Sequence, residues 1–219
     1  MIPVVFQNEH VVVIDKPSGF LSVPSRMGAQ DPRPVVGLIL QEQLTKKIYP
    51  VHRLDFEASG IMVFALDSKA HQALNRAFEK REVTKKYQAF SKGGDFSVGS
   101  KGTWTCRMLK GKKRAYEKPW GDLAVTQFEV VGQYPPDYYE WTLFPKTGRP
   151  HQLRFELFRH GSPILGDKLY SGADFSWIVT PSGKGAIALR AVSLIFDTSL
   201  TESLGLSEEI QVSPLSRPF

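Results

Sequence analysis

The chain has 219 residues, 42% hydrophobic and 23% charged, which suits one large domain or two small ones and excludes collagen-like, disulfide-scaffold and wholly disordered classes. No apolar run approaches the roughly 18 residues of a membrane span. Met1-Ile2-Pro3-Val4 lacks the features of a secretory leader, and the single Cys106 can form no internal disulfide, so a soluble cytoplasmic protein without a membrane partner is expected; a monomer is expected as well. The net charge of +6 is lopsided: residues 1–118 carry 20 Lys and Arg against 11 Asp and Glu, whereas residues 119–219 carry 8 against 11.

In chain order, His10–Asp15 reads as a strand closed by the turn residues Lys16-Pro17-Ser18-Gly19. Pro24–Pro34 reads as a loop, and Val35–Leu44 as a short helix opened by Pro34. Gly60–Leu66 is a buried strand. A helix capped by Ser68 follows, with Ala70, Ala73, Leu74, Ala77 and Phe78 on one face. Tyr87–Phe90, Leu123–Val131 and Tyr138–Phe144 read as strands, the last two joined by a turn over Gly132–Asp137. Pro150 opens a helix to about Arg159 with Leu153, Leu157 and Phe158 on its apolar face. Ala186–Phe196 is a late strand, and the tail after Thr198 is expected to drape over the surface. Many strands, apparent hairpins and few helices make the class α+β.

The densest cationic run, Lys110-Gly111-Lys112-Lys113-Arg114, lies among Trp104, Tyr116 and Trp120. It mixes phosphate-pairing charge with rings that could stack on bases, although a solvated basic loop would have the same composition. Lys80-Arg81 and Lys85-Lys86 add a second run, so nucleic acid is the favoured partner. The five histidines show no metal-binding spacing, and phosphate-loop, dinucleotide and nucleophile-elbow patterns are absent, so no metal or cofactor is expected. Two polar clusters remain. His52-Arg53-Leu54-Asp55 with Ser59-Gly60 precedes a buried strand, and Thr147-Gly148-Arg149-Pro150-His151-Gln152-Leu153-Arg154 enters a helix.

These clusters carry a resemblance. Val51-His52-Arg53-Leu54-Asp55, continued by Ala58-Ser59-Gly60, resembles the HRLDxxTSG motif of the RluA-type pseudouridine synthases, and Gly148–Arg154 their GRTHQ(I/L)R motif. Asp15–Pro24 is similar to the family's NKPxGLxVxP segment, Lys85-Lys86-Tyr87 to its KxY element, and His160–Tyr170 to (L/H)GHPIxGDxxY. The resemblance implies a mostly antiparallel central sheet in two halves flanking a basic catalytic cleft, in a single catalytic domain over 1–219. With nine residues before the first strand, no N-terminal S4 domain is expected. It further implies isomerisation of a uridine in tRNA or ribosomal RNA to pseudouridine, without a cofactor.

By motif position Asp55 is the catalytic carboxylate, Arg154 its partner and Tyr87 an active-site ring that can pack on the uracil. Asp55 could act as nucleophile on sugar or base, or as base at the ribose 2′ carbon, and the residues do not choose among these routes. Arg53 suits a wedge or phosphate anchor for a flipped-out base. Arg149, Lys85, Lys86, Lys112, Lys113 and Arg114 are expected along the RNA, with His52 and His151 there or in loop hydrogen bonds. An Arg154 paired with Glu156 is the plainer alternative. Ala58 and Pro150 stand where the family commonly has Thr, and Arg190 where it commonly has His, which bears on loop bonding and target choice. Two other classes are weighed: a non-catalytic RNA-binding protein, and a nucleosidase using Glu57 or Asp167 as a second acid.

Overall fold

The computed structural model describes residues 1–173 and 186–216. Among these the chain divides into two compact units, one formed by Met1–Thr84 with Ala191–Ser213, the other by 85–173 with Ala186–Arg190 and 214–216. The architecture is α+β, built mostly on antiparallel strands.

In the first unit, β1 (Val4–Gln7), β2 (Val11–Lys16), the two-residue β3 (Tyr49–Pro50) and β4 (Ser59–Ala65) form the sheet, with α1 (Val36–Leu44) and α2 (Ser68–Lys80) between and after them. β2 pairs antiparallel with both β1 and β4, and β3 adds to β4. Val11–Ile14 and Ile61–Ala65 are wholly buried, as unbroken apolar runs must be when covered on both faces. The stripe Ala70, Leu74 and Ala77 lays α2 on this core. Its cap is Asp67, whose carboxylate accepts the Ala70 amide at 2.9 Å, one residue before the expected Ser68.

In the second unit, β5 (Thr84–Lys92, with Thr84 on the first unit's side of the division), β6 (Lys101–Lys110), β7 (Ala115–Glu117), β8 (Asp122–Tyr134) and β9 (Tyr138–Pro145) run in the order β5-β9-β8-β6-β7. All four pairings are antiparallel. β6 and β7 were not expected: the basic stretch is the turn of a hairpin, with Lys110 opposite Ala115. Trp104 is a core residue, 7% exposed and stacked between Phe128 at 4.1 Å and His160 at 4.5 Å, so it is unavailable for stacking on bases.

Three readings need correction. α3 (Gln152–Arg159) starts two residues after Pro150, behind a left-handed His151, and has no polar face: Gln152, Arg154 and Glu156 are as buried as Leu153 and Leu157. After β10 (Leu189–Ile195), which borders β4, the tail forms α4 (Thr198–Leu204) and β11 (Glu209–Gln211), the latter paired with β10. Asp197 caps α4, and Leu200, Leu204 and Leu206 bury its apolar side in the first unit's core. The expected strand from Ala186 is observed from Leu189.

Candidate functional site

Asp55 lies in the loop from β3 to β4, partly buried, with Arg53 exposed two residues earlier. This loop is gripped by the segment after β2. Ser18 Oγ donates to Glu57 O at 2.6 Å, Gly19 N to Phe56 O at 2.8 Å, and Ser22 Oγ both donates to Leu54 O (2.8 Å) and accepts from Leu54 N (2.9 Å). Within the loop Ala58 N donates to Asp55 O at 3.2 Å. The two motifs that are farthest forward in the sequence therefore form one hydrogen-bonded piece around Asp55.

Lys16 secures that piece from below. It has no exposed surface, and its Nζ donates to Pro17 O (2.9 Å), Phe20 O (2.9 Å) and Ala58 O (2.8 Å), bridging the two segments. Burial drives its pKa down to about 7, and the charges of Asp55 and Glu57 act in the opposite direction. Sequence reading gave Lys16 only a turn role, because a lysine is ordinarily a surface residue. Ala58, the departure from Thr, is buried and contributes its carbonyl to this contact. Gly60 closes the loop at φ +115°, where an added Cβ would lie 2.0 Å from Ala191 O. His52 is turned into the fold: its Nε2 accepts the Val63 amide at 3.0 Å and its ring stacks on Phe78 at 4.6 Å.

In the second unit, Arg154 is 1% exposed and forms a bidentate pair with the fully buried Asp167, Nε to Oδ2 at 2.6 Å and Nη2 to Oδ1 at 2.9 Å. The alternative partner Glu156 is committed elsewhere, accepting from Cys106 Sγ (3.2 Å) and Arg159 Nε (2.7 Å). The Arg154 guanidinium also sits over the buried Tyr170 ring at 5.6 Å. Tyr170 accepts the Ala115 amide at 2.6 Å, and its hydroxyl is 3.3 Å from His151 Nδ1. Asp167 and Tyr170, the last two fixed residues of their motif, thus set the plane of Arg154, roles that only the fold reveals. Gln152 ties the start of α3 to β8 through Val125 O and Thr126 Oγ1, and accepts from Thr147 Oγ1.

Tyr87 lies on β5 opposite Leu143, partly buried, beside Lys85 and Lys86. Arg149 reaches β8, donating from Nε to Leu123 O at 3.0 Å. Lys112, Lys113 and Arg114 are exposed at the β6–β7 turn, whose shape Lys110 fixes by donating to Lys113 O. No three His, Cys, Asp or Glu side chains converge as a metal site among the described residues.

The described residues thus offer a buried arginine clamped by a carboxylate in one unit, an aspartate-bearing loop tied down by a buried lysine in the other, and an exposed basic turn. The RNA pseudouridylate synthase family matches residues 10–159, and the chain belongs to that family. It is 37% identical over 177 residues to the dual-specificity RNA pseudouridine synthase RluA of Haemophilus influenzae, covering 77% of this chain and 76% of the relative, and 35% identical over 181 residues to that of Escherichia coli K12, covering 78% of each. The solved human RNA pseudouridylate synthase domain containing 4 superposes with TM-score 0.69 at 25% identity, over 98% of this chain and 89% of its own. The protein is thus an RluA-type RNA pseudouridine synthase, an isomerase.

Proposed function

We propose that this protein converts a particular uridine of a structured tRNA or ribosomal RNA into pseudouridine, with Asp55 as the catalytic carboxylate and Tyr87 and Arg154 as its fellow catalytic residues. The observation that carries the reading is the Asp55 loop itself. A residue whose loop is bonded at Leu54, Phe56, Glu57 and Ala58 by Ser22, Gly19, Ser18 and Lys16 is pre-organised, and a catalytic carboxylate gains most from fixed geometry.

In the reaction the bond from ribose C1′ to uracil N1 breaks, the ring turns, C1′ joins C5, and the C5 proton leaves to water while N1 takes one up. The atoms balance without oxidant or reductant. Asp55 acts at the sugar or the base while they are separated. A stacked uridine presents neither, so the base is flipped out of its helix, with Arg53 filling the gap or holding a phosphate. Lys85, Lys86, Arg149, Lys112, Lys113 and Arg114 supply phosphate contacts that position the RNA without reading its sequence. His52 is omitted from these contacts because its ring serves the fold. The nucleosidase reading loses one of its acids, since both oxygens of Asp167 are bound to Arg154.

The test is release of tritium from uracil C5 in bulk tRNA and ribosomal RNA taken from cells lacking the protein. Wild type should release it, and Asp55→Asn should not, while binding RNA within several-fold of wild type. Tritium release at the wild-type rate by Asp55→Asn removes Asp55 from the chemistry. Free uracil among the products would replace isomerisation with hydrolysis.

A further inference from the structure

We propose that Trp120 is a stacking platform for an unpaired base of the RNA, with Lys118 and Arg149 beside it for the flanking phosphates. The inference rests on the RNA substrate of the preceding reading and adds a contact that the catalytic motifs do not include. Trp120 is 72% exposed, the most exposed aromatic ring among the described large hydrophobics, and Tyr116 on the same hairpin is 41% exposed.

The turn that presents Trp120 is built rigidly. Gly121 N donates to Lys118 O at 2.9 Å, and Lys118 N donates to Arg107 O on β6 at 2.9 Å. Arg107 Nη1 returns a bond to Gly121 O at 3.0 Å. Gly121 packs so closely on Met108 that a Cβ there would lie 2.7 Å from its backbone nitrogen. A large apolar ring held in water by a pinned turn has already met the ordering cost of binding, so a flat partner gains from covering it. Lys118 Nζ lies 5.4 Å from the ring centroid. Arg149 adds a second cation, anchored on Leu123 O three residues further along the chain.

The local acids do not oppose an anionic partner. Glu117 pairs with Arg159 at 3.3 Å, and Asp122 with Arg149 at 3.7 Å. With Lys112, Lys113 and Arg114 exposed on the adjoining turn and Lys118 over one face of Trp120, the surface sets an exposed ring among cations. That is the chemistry of single-stranded RNA recognition, in which rings take bases and cations take phosphates. An apolar protein partner would find this rim electrostatically unsuited.

The experiment measures affinity for unfractionated tRNA and total ribosomal RNA against salt, together with tryptophan emission. Trp120→Ala should bind about tenfold more weakly with the salt slope unchanged, since stacking releases no counterions, and Trp120→Phe should recover most of the loss. Lys118→Met should instead shallow the slope by about one. RNA should quench emission in wild type and not in Trp120→Phe. Wild-type affinity and quenching in the variants, with pseudouridine still formed, would overturn the platform and leave the isomerase standing. A wild-type protein that neither binds nor isomerises these RNAs overturns both readings.

Discussion

Lys16 makes protein stability depend on pH in a way that can be isolated by one substitution. Its pKa falls from 10.5 to about 7 because its ammonium is removed from water. At about 1.4 kcal/mol per unit, that drop corresponds to about 5 kcal/mol of destabilisation while the folded protein carries the charge, an upper order of magnitude. The depressed value fixes the sign. Below pH 7 Lys16 is protonated in both folded and unfolded chains and the cost is fully present. Between pH 7 and 10.5 the unfolded chain holds a proton that the folded one has released, so stability rises with pH, and above 10.5 the cost is gone. Lys16→Met fills the same space without a titrating group, although it leaves three carbonyls without their donor. Urea unfolding of both proteins at pH 7.5 and 9.5, at one ionic strength, cancels the other titrations. The stability of wild type relative to Lys16→Met should increase by about 2.5 kcal/mol over that interval, a relative midpoint shift of about 1 M. A difference constant within about 0.5 kcal/mol would show that Lys16 keeps an ordinary pKa and that the Asp55 loop rests on a permanently charged group.

Asp167→Asn breaks a fully buried bidentate pair and should cost about 3 to 5 kcal/mol, lowering the melting temperature by roughly 6 to 20 °C; a change below 2 °C in calorimetry would contradict that pairing. Gly60→Ala should fail to fold or lose more than about 2 kcal/mol by chemical denaturation, because both its φ and the Ala191 carbonyl exclude a methyl group, and a protein of wild-type stability would disprove the close approach. Neutralising Lys112, Lys113 and Arg114 together should reduce the salt slope of RNA binding by about two to three, whereas an unchanged slope would return the turn to solvent. Cys106, buried and pushed up to about 12 chiefly by desolvation and then by Glu156, should resist alkylation at pH 8 until the protein is unfolded in urea, and rapid labelling of the native protein would refute its burial.

The elements most legible in the sequence were those with one dominant signal. β2 and β4 are unbroken apolar runs, and α2 carries its stripe at three- and four-residue spacing. β6 was missed although Trp104, Cys106 and Met108 alternate with exposed Lys101, Thr103, Thr105 and Arg107, a period of two hidden by the density of charge. In α3 the expected polar face is buried because Gln152, Arg154 and Glu156 each find partners on other elements, which composition cannot show. α4 had its signal in Asp197 and the leucines Leu200 and Leu204, outweighed by the prolines that follow. At the candidate site, motif positions pointed to Asp55, Tyr87 and Arg154. The supporting groups Lys16, Asp167 and Tyr170 lay inside quoted motifs, Lys16 read as a turn residue and Asp167 only as the second acid of the nucleosidase alternative, since their work consists of long-range contacts.

The division of the chain has a consequence for its synthesis. β4 takes β10 as a neighbour, and Gly60 lies against Ala191, so the first unit is completed only by a segment made about 130 residues after β4. At ribosomal rates of about 5 to 20 residues per second, roughly 6 to 25 s separate the emergence of β4 from that of β10. Through that interval the nascent chain displays the apolar edge Ile61–Val63, beyond the reach of β3, as a template for intermolecular strand pairing, while residues 85–173 are still being added. The aspartate loop is assembled early from local bonds, but the sheet that carries it closes only when β10 arrives.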